Sequence, residues 1–203
     1  MKKILKFAAF MMLVLFLFFL GTLLADKHTL RNDVIRLHVL ANSDTNSDQN
    51  IKMGVKDAVI AYIRDEIPNP QNAYEARMLL SERLCNIQSI ANEVLVAKGS
   101  SDRATVTLSK EAYGTRDYET FSLPSGVYES LRIEIGEARG KNWWCVVFPS
   151  LCVPTTCDEF VEAAVSSGFD PMLADTLAEN DTFEVRFYLL DFIGKIEKFF
   201  SFS

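Results

Sequence analysis

Histidine is scarce: the chain of 203 residues holds two, His28 and His38. Acid–base or nucleophilic catalysis that relies on imidazole therefore has few places to sit. The local patterns that carry common chemistries are missing too. There is no G-x-S-x-G elbow, no H-E-x-x-H helix, no phosphate-binding P-loop and no G-x-G-x-x-G turn. Basic residues are outnumbered, 21 Lys and Arg against 27 Asp and Glu, for a net charge of −6. Without a basic run there is no general attraction for phosphate backbones, which excludes nucleic acid as a partner. The four cysteines, Cys85, Cys145, Cys152 and Cys157, lack the spacing of a zinc site and have no histidine beside them. With 9 Gly, 6 Pro, no internal repeat and no low-complexity linker, the chain reads as one domain rather than several.

What is present begins at the N-terminus. Lys2, Lys3 and Lys6 precede an uncharged run from Phe7 to Ala25, after which Asp26 and Lys27 restore polarity. A helix rises 1.5 Å per residue, so this run spans roughly 28 Å, about one hydrocarbon thickness. Residues 1–25 read as a signal sequence or an N-terminal membrane anchor, with the basic flank in the cytoplasm and residues 26–203 exported. Ala25 is a small residue at a plausible cut, but Leu23 is not the small residue of an A-x-A site. Cleavage and retention both stay open. Beyond this segment the composition, 49% hydrophobic and 24% charged, suits a globular core.

Val34 to Ala41 alternates, with Ile35, Leu37, Val39 and Ala41 on one face and Arg36 and His38 on the other, so a strand is expected. A mid-strand histidine is more simply structural than catalytic, and His28 reads as a solvated spacer. A helix is expected from Ser47 as N-cap to Pro68, with Ile51, Val55, Ala58, Tyr62 and Ile63 at helical spacing. A second should run from Gln71 to Lys98 and stop at Gly99. Four strands follow at Ala104–Leu108, Tyr118–Leu123, Tyr128–Ile135 and Trp143–Phe148, an antiparallel meander by their short links. Short helices at Asp158–Ser167 and Met172–Glu179, a last strand at Phe183–Phe187 and a helix from Leu190 to Phe200 complete the chain. The fold class is α+β: an antiparallel or mixed sheet of about five or six strands with helices packed on it, preceded by one hydrophobic helix.

Asp44-Thr-Asn46-Ser-Asp48 opens like a calcium loop, but Gln49 replaces the required glycine and Val55 the bidentate glutamate, so no metal site is expected. Cys85 reads as a small buried hydrophobe. Cys145 and Cys152 are the preferred disulfide pair, because a strand turning at Pro149 could fold back; free buried thiols are the alternative. Trp143 and Trp144 must point to opposite sides of their strand. One can fill the core, while the other is either covered by a second layer or exposed as a binding anchor. Phe199, Phe200 and Phe202 read as part of a docked last helix rather than a membrane contact.

Two stretches resemble the stage II sporulation protein R family. The first is Val34-Ile-Arg-Leu-His-Val-Leu-Ala-Asn-Ser-Asp44 with Ser47-Asp-Gln49 and Val55-Lys-Asp-Ala-Val59. The second is Tyr128-Glu-Ser-Leu-Arg-Ile-Glu-Ile-Gly-Glu137 followed by Gly140-Lys-Asn-Trp-Trp-Cys-Val-Val-Phe-Pro149 and Leu151-Cys152. The resemblance covers about residues 30–190, with Ser150 and Gly54 as departures. It implies a forespore protein exported to the space between forespore and mother cell. There it would activate a membrane-embedded aspartic protease, stage II sporulation protein GA, which processes the precursor of sigma factor E. On that reading the chain is a ligand and not an enzyme, and it needs no cofactor or small-molecule substrate. The candidate partner-binding residues are then Asn42, Ser43, Asp44, Trp143, Trp144, Phe148 and Pro149. Two other readings stand beside it: an anchored cell-wall or structural binding module, and a secreted hydrolase using His38 or a carboxylate pair.

Overall fold

The computed structural model describes residues 2–67, 70–118, 120–149, 157–178 and 184–201. Helix α1 (Lys2–Asp33) follows from the uncharged run, but it does not stop where that run stops. It continues without a break to Asp33, and Leu23, Asp26 and Leu30 are buried against the rest of the chain. By length and composition α1 can cross a membrane, and its side chains from Ile4 to Phe19 are exposed. Its neighbour β1 (Ile35–Leu40) is buried along its whole length, so Arg36 and His38, the polar side of the alternation, lie under a second layer.

The cap of helix α2 (Asn46–Glu66) lies two residues before the expected Ser47. Thr45 takes that role, its hydroxyl accepting from the Asp48 N–H at 3.2 Å, which satisfies an otherwise unpaired first-turn donor. Gly54 has a packing reason: a Cβ there would lie 2.4 Å from the Lys98 side chain and 3.3 Å from that of Val94. The expected single helix from 71 to 98 is two, α3 (Ala73–Glu82) and α4 (Leu84–Ala97), broken at Arg83, whose N–H bonds back to the Leu80 carbonyl. No glycine or proline marks this break in the sequence. Gly99, at φ +73°, closes α4 as expected, with the Ser100 N–H returning to the Leu95 carbonyl. Cys85, expected to be buried, is an exposed free thiol, because the apolar stripe of α4 runs through Ile87, Ala91 and Leu95 instead.

Strands β2 (Ala104–Tyr113), β5 (Gly126–Ile135) and β6 (Asn142–Phe148) join β1 in a four-stranded sheet of order β2-β5-β1-β6. This is a mixed sheet and not a meander. β1 inserts between β5, parallel to it, and β6, antiparallel to it. Of the expected strand at Tyr118–Leu123 only β4 (Ser122–Leu123) forms among the described residues, in a small hairpin with β3 (Arg116–Asp117), and Tyr118 stacks on Phe121 at 4.5 Å. Helices α5 (Cys157–Ser166), α6 (Pro171–Ala178) and α7 (Glu184–Ser201) follow. The expected strand over 183–187 is the start of α7 from Glu184 onward, and Phe183 lies outside the described residues. The alternation there is short, and the i, i+4 series Val185, Leu189, Ile193 carries the helical period through it.

The sheet has a core on each face. On the first, Leu37, Val39, Leu131, Ile133, Val106 and Cys145 meet α2, α3 and α4. A bulge in the β1–β6 pairing turns both Val147 and Phe148 toward this side. On the second, Tyr113, Tyr128 and Val146 meet Leu23 and Leu30 of α1, Phe160 of α5, Leu173 and Leu177 of α6, and Leu190 of α7. Each fully buried aliphatic or aromatic side chain here contributes about 1.5–3 kcal/mol by leaving water.

Candidate functional site

The turn Asn42-Ser43-Asp44 lies at the end of β1, facing the turn between β5 and β6. Asn42 accepts the Glu137 N–H through its side-chain oxygen at 2.9 Å and donates to Asp48 at 3.1 Å. Ser43 also donates to Asp48, and Asp44 accepts the Lys141 N–H at 2.6 Å. The Ser43 hydrogen bond, helped by Asn42, holds the Asp48 carboxyl below its ordinary range. The two turns touch closely. A Cβ at Gly140 would sit 2.2 Å from the Ser43 carbonyl oxygen, and one at Gly136 (φ +58°) 2.4 Å from the Asn42 side chain. Lys52 adds a bond to the Lys141 carbonyl at 3.0 Å. The side chains of this hallmark turn are therefore engaged in clasping two distant parts of the chain.

Trp143 and Trp144 do point to opposite faces, and each is half-buried. Trp143 packs on the first core, with the Lys56 ammonium 5.1 Å from its ring centre. Trp144 packs at the second, stacked on His38 at 5.5 Å, and the Arg116 guanidinium lies 3.6 Å above its ring. Phe148 and Pro149 are buried and joined by a cis peptide. Cys145 is disulfide-bonded. Cys152, its expected partner, lies outside the described residues.

Around Trp144 the second face becomes polar. The cross-strand register aligns Arg132 on β5, His38 on β1 and Trp144 on β6, with Thr107 of β2 beyond Arg132. The His38 Nδ1 meets Glu111 at 2.9 Å and its Nε2 meets the Asn142 side-chain oxygen at 3.1 Å. Arg132 donates to Glu111 at 2.6 Å and to Glu134 at 2.7 Å. Burial would raise the Glu111 pKa, but hydrogen bonds from His38 and Ser130 and the charge of Arg132 outweigh it and bring it from 4.5 to about 2. Glu111 is thus a fixed anion at ordinary pH.

Deeper on the same face is Arg36, fully buried. Its Nη2 donates to the Tyr118 hydroxyl at 2.9 Å and its guanidinium lies 3.9 Å over the Tyr113 ring, but Nε and Nη1 have no hydrogen-bond partner among the described residues. Burial pushes the Tyr113 hydroxyl pKa up, and that hydroxyl is bonded to Ser130 at 2.6 Å. Among the described residues the cation is thus held over aromatic rings, those of Tyr113 and Tyr128. Chemically, the arrangement is an aromatic ring capped by a guanidinium and rimmed by fixed charges.

Sequence reasoning named Trp144 and His38 in this group but missed Glu111, Arg116 and Arg132. The alternation of Leu131, Arg132, Ile133 and Glu134 carries the signal for Arg132 alone; the other two arrive from β2 and the small hairpin.

A model of the stage II sporulation protein R family matches residues 31–157, more than half of the chain. A curated relative, stage II sporulation protein R of Bacillus subtilis (strain 168), is 36% identical over 121 residues, covering 60% of this chain and 54% of the relative. The match thus spans about half the length of that relative. No solved structure matches.

Proposed function

The chain belongs to the stage II sporulation protein R family, and from that premise we propose that it is an exported signal that activates stage II sporulation protein GA, so that the precursor of sigma factor E is processed in the mother cell. It is made in the forespore and acts in the space between the two membranes. It is anchored there by α1 and works as a ligand without chemistry of its own.

One observation carries the geometric side of this reading. β1 starts two residues after α1 ends and is about 17 Å long, at 3.3 Å per residue. The Trp144–His38–Arg116 group is centred on the His38–Trp144 pair, three residues along β1 from its start and beside Asn142. On this reading the domain, hung from a membrane helix, offers its aromatic and charged surface to a protease in the facing membrane. To switch such a protease the surface must bind the active form better than the inactive one. A half-buried tryptophan under a guanidinium is a suitable anchor for that difference.

The test is co-expression in a non-sporulating host of the protease, the sigma precursor and this protein, full length or lacking residues 2–20. The deletion ends before Leu23 because that side chain belongs to the second core. Processing only when the exported form is present supports the proposal. No processing, with folded protein detected outside the membrane, overturns it.

A further inference from the structure

Among the described side chains of helix α7, a carboxylate is buried while four large apolar groups are exposed. Asp191 and Gly194 face inward with Leu190. Outward stand Tyr188 (64% exposed), Phe192 (61%), Ile196 (44%) and Phe199 (71%). These four follow at steps of four, four and three and so share one face. A surface helix in water does the reverse.

The orientation is fixed by specific contacts. The Asp191 carboxylate accepts the Ser125 N–H at 2.9 Å and the Thr115 hydroxyl, while the Ser125 hydroxyl donates to the Asp191 carbonyl at 2.7 Å. A Cβ on Gly194 would lie 1.6 Å from the Ser125 carbonyl oxygen, so the helix backbone rests directly on that loop. Turning the aromatic face inward would break all of these contacts.

The position of α7 is fixed relative to α1 as well. Lys27 donates to the Ile193 carbonyl at 3.5 Å. Lys27 comes two residues after the uncharged run ends, about 3 Å along the helix axis. The middle of α7 therefore sits at the level where α1 leaves its apolar stretch. Lys27, Arg31 and the exposed Lys195 supply basic groups at that level.

We propose that the Tyr188–Phe192–Ile196–Phe199 face of α7 lies in the surface of the bilayer that α1 crosses, with its rings at the boundary between headgroups and acyl chains. This rests on the anchored reading of α1. Aromatic side chains concentrate at that depth, and a helix lying there buries its apolar face in lipid while lysines reach the headgroups. The helix is thus a second membrane contact that fixes the tilt of the domain.

The test uses the full chain reconstituted into vesicles of phosphatidylcholine and phosphatidylglycerol, the phosphatidylcholine brominated near the top of its acyl chains. Phe192→Trp places a reporter on the proposed face. Val96→Trp places one on an exposed site of α4, at the end of the sheet away from α1. The emission of the native chain, which carries Trp143 and Trp144, is subtracted. The Phe192→Trp reporter is expected to lose most of its added emission to the brominated lipid and the Val96→Trp reporter almost none. An unquenched Phe192→Trp reporter, in vesicles that retain the chain through a carbonate wash, overturns the proposal while leaving the anchor intact. Loss of the chain in that wash overturns the anchor and the proposal with it. Shielding of the reporter only at high protein-to-lipid ratio assigns the face to a second copy and also overturns the proposal.

Discussion

The two faces of the sheet are built from alternate residues of the same four strands, yet they carry different chemistry. The first buries Leu37, Val39, Leu131, Ile133 and Val147 against three amphipathic helices. The second buries an arginine, a histidine and two tyrosines among its apolar residues, and opens at one end into a charged rim. The charge that the first face buries, Glu129, is paired with Arg77 of α3. The second accepts desolvated charge that folding alone would not ask for, and departures from the cheapest packing concentrate where a protein does its work.

Substitutions can break that contrast, the largest effect coming from the first face. Leu131→Ala should lower stability by about 3 kcal/mol, since a buried leucine leaves both a transfer loss and a cavity. Chemical denaturation measures it, and a loss below about 1 kcal/mol would mean that this face collapses around the gap.

Glu111→Gln reads the second face through pH. The folded pKa of Glu111, about 2, lies below its ordinary 4.5, so its contribution is present above 4.5 and is lost as pH falls toward 2. The variant should lose on the order of 2 kcal/mol at neutral pH and show a flatter stability profile across that window. Unfolding midpoints between those pH values decide; an unchanged slope would remove Glu111 from the acid response.

Arg36→Met should leave stability unchanged or raise it by about 1 kcal/mol, because an apolar side chain of similar volume escapes the cost of two unsatisfied guanidinium donors. A fall of more than about 2 kcal/mol would instead make the stacking on Tyr113 a main support of this core.

The last test reads function more than stability: Trp144→Ala combined with Arg116→Ala should cost about 1–3 kcal/mol, since the half-buried indole packs on the second core. The pair should abolish precursor processing in the co-expression assay. Wild-type processing by a folded double variant would move the recognition surface elsewhere.

Much of the local structure was legible in the residues. The alternation from Ile35 to Leu40, the stripe through Ile51 and Val55 and the opposed tryptophans all sit where period and polarity place them. The pairing of β1 was not legible, because its partners come some 90 to 110 positions later and nothing local to it names them. The break at Arg83 carries no glycine or proline signal, so helix packing decides it over propensity. The candidate site was half legible. The Asn42 turn and Trp144 stand out as unusual strings, while Glu111 and Arg116 look like ordinary surface charges until β2 and the hairpin carry them to His38 and Trp144. Phe199 resisted a sequence reading for another reason: an aromatic terminus suggests a docked helix, and Asp191 and Gly194 turn it outward.

The unbroken passage of α1 into the second core sets folding and maturation against each other. A peptidase cutting after Ala25 would strip Leu23 from its packing and create a new amino terminus at Asp26, whose side chain is buried. Once the domain has closed around Leu23 and Leu30, that peptide bond is part of a helix held in place by its own side chains. Release is then a race, decided by whether the scissile segment meets its enzyme before the core claims it.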